Sequence, residues 1–212
     1  MIKALIFDLD GTLIDRQKAF TEGMTSILHD HFDNEQLIND MLVDILEWDK
    51  RGSVERIVVF TKLLEKYNIK DVTAEELDLQ WKSMSGKTTY LYEDVRDTLV
   101  ALKKKYKIGI LSNGGTKTQR RKMDTINIYD LIDYSLISGE YICSKPDKRI
   151  FDYVCAQMGF KPEECAYIGD SYKIDIDGSL NANMMPVFVN RTNENYPGIT
   201  TINEIKELLN IF

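Results

Sequence analysis

The sequence contains few cysteines and histidines, the residues that form disulfides and zinc sites, and few prolines. It has three cysteines, two histidines and four prolines in 212 residues. Cys143, Cys155 and Cys165 are odd in number and show no CxxC spacing, which argues against a disulfide framework and favours a reducing compartment. His29 and His31 stand two residues apart in a helical pattern, so they would not face each other as zinc ligands.

Long apolar runs are also absent. No stretch approaches the roughly 20 apolar residues that a membrane-spanning helix needs, and acids directly after the first apolar run are unlike a signal or transit peptide. With 27 lysines and arginines against 34 aspartates and glutamates, the net charge is −7. This balance disfavours nucleic acid and anionic membranes as partners. Since the sequence also shows no disulfide framework, targeting peptide or membrane-spanning run, we expect a cytoplasmic globular protein. The composition leaves its oligomeric state open.

Five short apolar segments bounded by turn residues predict strands that are buried on both faces. They are residues 4–7, 108–111, 135–137, 166–168 and 187–189. Amphipathic helical patterns lie between the later segments, and a further one is expected from Ile202 to Leu209. The alternation of strand and helix predicts an α/β fold with a doubly wound, parallel, Rossmann-like sheet.

The interval 15–86 differs from the rest of the chain. It contains no proline and no convincing strand, and it shows helical stripes such as Ile38, Leu42 and Ile45. We expect three to five packed helices inserted after the first strand. The predicted domains are thus an α/β core of residues 1–14 and 87–212 and an all-helical insertion of residues 15–86.

Two acids, Asp8 and Asp10, follow the first predicted strand directly. Residues two apart in an extended segment point to the same side, so both carboxylates can face one small space. Such a pair suits a nucleophile with its proton donor, or a hard metal ion. The pair alone would also be compatible with a solvated strand end.

Three further polar segments follow predicted strands. Ser112 and Asn113 precede a glycine pair, Lys145 stands before a proline that can open a helix, and Asp170 precedes Asp175 by about one helical turn. Each has an ordinary explanation as a turn, a solvated lysine or a helix cap. In a parallel sheet, however, all these strand ends lie on one edge, so the side chains are expected to converge. Crowded aspartates would repel one another, and a hard divalent cation with the lysine would compensate.

The segments DLDGT, LSNG, SKPD and GDSYKID, in this order, resemble the four motifs of the haloacid dehalogenase-like (HAD) hydrolase superfamily. The insertion resembles the helical cap of the subclass that carries one after the first strand. The resemblance implies that Asp8 is the nucleophile and that Asp10 is the proton donor and later the base. It implies a phosphate site of Thr12, Ser112, Asn113 and Lys145, and a Mg²⁺ site of Asp8, the backbone carbonyl of Asp10, Asp170 and Asp175.

By this resemblance the protein would be a Mg²⁺-dependent phosphatase of small phosphorylated metabolites that works through an aspartyl-phosphate. Its substrate would be a nucleoside 5′-monophosphate or a sugar phosphate. Haloacid dehalogenases lack the second aspartate of the first motif, so Asp10 favours phosphoryl chemistry. A sugar phosphomutase of the same family and, from another class, a phospho-accepting receiver-like signalling domain remain alternatives.

Overall fold

The structure, a computed structural model, describes residues 1–52, 54–191 and 196–212. The chain forms two compact units, one of Met1–Asp15 with Thr89–Phe212 and the other of Arg16–Thr88. No helix in the part of the chain that the structure describes is both long and apolar enough to cross a membrane.

The unit Arg16–Thr88 is helical. Its α-helices are α1 (Arg16–His29), α2 (Glu35–Asp49), α3 (Arg56–Lys66) and α4 (Ala74–Met84). Asn34 caps α2 by accepting from the backbone N–H of Leu37, and Thr73 with Glu76 forms a capping box at α4. The four helices bury a core of their own, which includes Met24, Ile45, Phe60 and Leu77. That this unit acts as a cap stays a prediction.

A buried carboxylate joins three of these helices. Asp49, at the end of α2, is 2% exposed and accepts a hydrogen bond from the guanidinium of Arg16 at 3.0 Å and another from Arg56. The Arg56 guanidinium also stacks over the rings of Phe20 and Trp81, 4.6 and 5.5 Å from their centroids. The carboxylate therefore neutralises one of the two partly buried cations that border this apolar core.

The other unit is built on a parallel six-stranded sheet in the order β3-β2-β1-β4-β5-β6. Its strands are β1 (Ala4–Phe7), β2 (Lys107–Ser112), β3 (Tyr134–Ile137), β4 (Cys165–Gly169), β5 (Met185–Val189) and β6 (Thr200–Ile202). Its α-helices are α5 (Val95–Leu102), α6 (Thr116–Thr125), α7 (Lys148–Gln157) and α8 (Asp177–Asn181). The predicted parallel α/β fold is confirmed.

The sheet is covered on both faces, as the continuous apolar strands predict. Alternate residues of β1 enter different clusters: Leu5 and Phe7 join one core, whereas Ala4 and Ile6 join the other. Because β1 lies between β2 and β4, its C-terminal end opens onto the ends of both neighbours. Residues that follow β1 are thereby placed at the centre of the sheet edge.

Two sequence expectations about local structure were wrong. The predicted helical pattern from Ile202 to Leu209 is instead the end of strand β6 and a short 3₁₀ helix, Ile205–Asn210. Ile202, Ile205 and Leu208 are buried as expected, whereas Leu209 is 48% exposed, and strand β6 has only three residues and lacks an apolar run. Helix α7 begins at Lys148, where Asp147 caps it, and so the proline after Lys145 does not open the helix.

Candidate active site

Lys145 is the centre of a buried polar cluster at the carboxyl ends of the strands. Its ammonium group donates to Asp8 Oδ1, Asp175 Oδ1 and the hydroxyl of Tyr167, each at 2.7 Å. An ammonium has three N–H donors, so these three contacts use all of them. Asn113 fixes the backbone of Lys145: its Oδ1 accepts from the Lys145 N–H and its Nδ2 donates to the Lys145 carbonyl, both at 2.9 Å.

Asp8 is held at the end of β1 by sheet pairing, because its backbone N–H donates to the carbonyl of Ile168 in β4 at 2.9 Å. Asp8 as a whole is 7% exposed, and its carboxylate faces Lys145. Burial raises the pKa of Asp8 to about 8, and repulsion from Asp175 and Asp170 adds to the rise while Lys145 opposes it. The environment therefore disfavours the ionised form of this carboxylate unless more positive charge is supplied.

Three carboxylates converge on one space. Oxygens of Asp8, Asp170 and Asp175 all lie within 4.8 Å of one another. The Lys145 ammonium forms ion pairs with two of them, Asp8 and Asp175. A donor set made purely of carboxylate oxygens suits Mg²⁺ better than Zn²⁺, which takes nitrogen and sulfur ligands more readily. The residues present thus fit a hard divalent cation.

The turn after Asp10 brings the backbone close to Asp170. Gly11 has φ +81°, and a Cβ there would lie 2.4 Å from Asp170 Oδ2, so no other residue fits without displacing that carboxylate. Thr12 is fully buried, and its hydroxyl lies 3.5 Å from Asp170 Oδ1. Arg191 donates to the carbonyls of Gly11 and Thr12 at 3.3 and 3.2 Å, which ties down the same turn.

Asp175 reaches the cluster from a π-helical turn, Tyr172–Ile176, rather than from a regular helix. Its side chain is 1% exposed, and its second oxygen accepts from the Ser171 N–H at 3.0 Å. A Cβ on Gly169 would lie 2.5 Å from the Asp175 side chain. The wide turn and the glycine together let Asp175 pack directly against the end of β4.

Asp10 has other partners. Its two carboxylate oxygens accept from Lys122 Nζ at 2.7 and 2.6 Å, and Oδ2 also accepts from Gln119 Nε2 at 2.7 Å. Gln119 donates to Ser112 Oγ at 2.7 Å as well. Asp8 and Asp10 therefore stand at one strand end but pair with different cations, whereas the two-residue spacing had suggested a single shared space.

Sequence reasoning missed three residues of this site: Gln119, Lys122 and Tyr167. Gln119 and Lys122 are three apart on α6 and share one helix face, which is a signal that the sequence contained. Tyr167 belongs to β4, where the sequence pattern predicts an ordinary aromatic residue of the core. Its hydroxyl nevertheless accepts a hydrogen bond from Lys145 Nζ and donates one to the carbonyl of Leu111 at 2.9 Å. Burial raises the pKa of Tyr167 well above its usual range, which keeps it a neutral donor.

A parallel sheet with buried carboxylates and a lysine at its carboxyl edge places the protein among the α/β enzymes. The family model for "haloacid dehalogenase-like hydrolase" matches residues 2–183. The chain belongs to this family of hydrolases.

Individual relatives agree with this assignment. The chain is 28% identical over 215 residues to human N-acylneuraminate-9-phosphatase, covering 90% of this chain and 83% of that protein. It is 26% identical over 225 residues to the pyrimidine 5′-nucleotidase YjjG of Escherichia coli, covering 97% and 96%. Among solved structures, the magnesium-bound HAD-hydrolase YfnB of Bacillus subtilis superposes with a TM-score of 0.82 at 22% identity, over 99% of this chain and 98% of that one, which supports the fold.

Proposed function

We propose that this hydrolase is a Mg²⁺-dependent phosphatase that cleaves phosphate monoesters of small metabolites through an aspartyl-phosphate on Asp8. The observation that carries the proposal is the convergence of Asp8, Asp170 and Asp175 around the buried Lys145. Curated relatives with phosphatase names, among them N-acylneuraminate-9-phosphatase, support it.

In the first step a carboxylate oxygen of Asp8 forms a bond to phosphorus, and the bond from phosphorus to the ester oxygen breaks. Asp10 gives its proton to the departing alkoxide. Lys145 holds positive charge against the transferring group, where the transition state carries its negative charge. Ser112 and Thr12 would donate hydroxyl hydrogen bonds to phosphoryl oxygens, and Asn113 supports Lys145 through its backbone.

In the second step Asp10, now ionised, accepts a proton from water while the water oxygen bonds to phosphorus. The acyl-phosphate bond breaks, which returns Asp8 as a carboxylate and releases inorganic phosphate. Asp8, Asp170, Asp175 and the backbone carbonyl of Asp10 would hold Mg²⁺. When bound, Mg²⁺ supplies positive charge that orients and neutralises the phosphoryl oxygens.

The test is phosphate release from p-nitrophenyl phosphate with and without Mg²⁺. We expect Asp8→Asn to abolish turnover, because an amide oxygen cannot form the acyl-phosphate, and Asp10→Asn nearly to abolish it. Asp152→Asn is the matched control, since the Asp152 side chain is 41% exposed and pairs with Lys148 on the surface. Turnover in Asp8→Asn at the level of Asp152→Asn would rule out the nucleophile and with it the mechanism.

The proposed substrate class rests on the relatives and not on the site, because the residues described above would contact only the phosphoryl group. A sugar-acid or sugar phosphate and a nucleoside 5′-monophosphate are the two classes we propose, in line with the names of the relatives. A panel of phosphorylated metabolites compared by kcat/KM decides between them. A phosphomutase would instead convert one sugar phosphate into its isomer without releasing phosphate.

A further inference from the structure

We propose that Gln119 and Lys122 are positioning residues for proton transfer: together they hold the Asp10 carboxylate in the orientation that serves the leaving oxygen and later the water. This inference rests on the proposed phosphatase function. It adds two residues of α6 that the four sequence motifs do not contain.

Lys122 contacts Asp10 through both carboxylate oxygens, at 2.7 and 2.6 Å. The ion pair is largely shielded, with the Lys122 side chain 15% exposed and that of Asp10 21% exposed. A cation that spans both oxygens restricts rotation of the carboxylate, which a single contact would leave free to swing. The pair is therefore a geometric restraint as well as a charge contact.

Gln119 couples Asp10 to the phosphate site. Its amide nitrogen donates one hydrogen to Asp10 Oδ2 and the other to Ser112 Oγ, both at 2.7 Å, and the residue is 3% exposed. Gly114, with φ +137°, packs against it, since a Cβ there would lie 3.1 Å from Gln119 Cγ. A single rigid amide thus sets the distance between the proton-transfer group and the hydroxyl proposed to bind phosphate.

The chemistry requires such a restraint. Asp10 must face the same oxygen position twice, first as a proton donor to the alkoxide and then as a proton acceptor from water. Its side chain is short, but a displacement of about 1 Å at a reacting group can cost about 10²-fold in rate. Two donors from one helix face, three residues apart, would fix it against the sheet edge.

The experiment compares Lys122→Met and Gln119→Leu with Lys117→Met, which removes an exposed lysine of the same helix. The readout is kcat/KM for p-nitrophenyl phosphate and for glycerol phosphate. The aryl oxygen leaves without much help, whereas the alkyl oxygen needs a proton, and kcat/KM includes only the steps up to phosphoryl transfer. We expect Lys122→Met to lower kcat/KM for the alkyl ester by about 10²-fold and for the aryl ester by less than about fivefold.

A second readout follows the hydrolytic step. Because slow water activation would let the phosphorylated enzyme accumulate, both site variants should show a burst of p-nitrophenol before steady state, and Lys117→Met should behave as the wild type. Thermal unfolding of each variant establishes that it is folded, and Gln119→Leu tests the same inference if Lys122→Met folds poorly.

Equal losses on both esters would overturn the inference, because a residue that acts only on phosphate binding or stability does not discriminate between leaving groups. Unchanged kinetics in both variants would overturn it as well. If Asp10→Asn shows the leaving-group dependence and the α6 variants do not, the positioning role fails while the phosphatase function stands. A wild-type protein that releases phosphate from neither ester would overturn the function itself.

Discussion

Replacing Lys145 by methionine removes the cation at the centre of the site and keeps most of the side-chain volume. The ammonium is 2% exposed and is hydrogen-bonded to Asp8, Asp175 and Tyr167. Without it, two buried carboxylates lose their shared partner. Breaking a buried ion pair from one side costs about 3–5 kcal/mol, a large part of the stability of an ordinary domain.

Activity should fall more visibly than stability. Loss of a fixed group that stabilises the developing charge costs about 10²–10³ in kcat, and Lys145 also restrains the nucleophile itself. We therefore expect kcat/KM of Lys145→Met for p-nitrophenyl phosphate to drop by at least about 10²-fold. Phosphate release at saturating Mg²⁺ measures this, because a missing cation then cannot explain the loss.

Stability is followed by urea unfolding with far-ultraviolet circular dichroism in metal-free buffer, since both tryptophans, Trp48 and Trp81, lie in the helical unit and do not report on the α/β unit. Lys148→Met is the matched control. Lys148 is about half exposed and pairs with Asp152 one turn along α7, so its loss should cost under about 1 kcal/mol. Kinetics and unfolding of Lys145→Met indistinguishable from those of this control would refute the reasoning.

Three other predictions concern the helical unit and the metal site. Asp49→Asn should destabilise the helical unit by about 3 kcal/mol, because two partly buried guanidinium groups lose their buried carboxylate partner, and tryptophan fluorescence during urea unfolding measures it. Gly11→Ala should raise the Mg²⁺ concentration needed for half-maximal activity by at least about tenfold through displacement of Asp170, a shift of about 1.4 kcal/mol. Gly198→Ala shares a positive φ but meets no atom within 4 Å, so it should leave the Mg²⁺ dependence unchanged. Removal of divalent ions with a chelator should abolish phosphate release, and added Mg²⁺ should restore it; activity that survives chelation would contradict the metal assignment.

Much of the α/β fold could be predicted because its central strands, β1 and β4, are fully buried and therefore nearly continuous apolar runs. Strand β1 was placed at its observed bounds, and β2 to β5 were found within one or two residues at each end. Strand β6 was missed because an edge strand of three residues carries no comparable run. Ile205 and Leu208, which follow this strand, are buried on a 3₁₀ helix, whose period is close enough to that of an α-helix to mislead.

In the site, too, the features set by strand order could be predicted, whereas those set by tertiary packing could not. Asp8, Lys145, Asp170 and Asp175 follow strands, and topology alone brings strand ends together, so their convergence could be expected. Contacts made across the fold could not. That Asp10 pairs with Lys122 depends on how α6 packs beside the sheet, and that Asp175 enters from a π turn depends on the close approach of Gly169.

The hydroxyl of Tyr167 attaches the active-site lysine to the sheet, which the loops of the site alone would not do. It links the Lys145 ammonium to the main chain of β2 through a residue in the interior of β4, a strand flanked by β1 and β5. The charge that the reaction depends on is thereby anchored to the central strands of the sheet. Insertions or exchanges in the surrounding loops can then alter which ester is accepted without moving that charge, so laboratory evolution toward new substrates has wide latitude provided Tyr167 is retained.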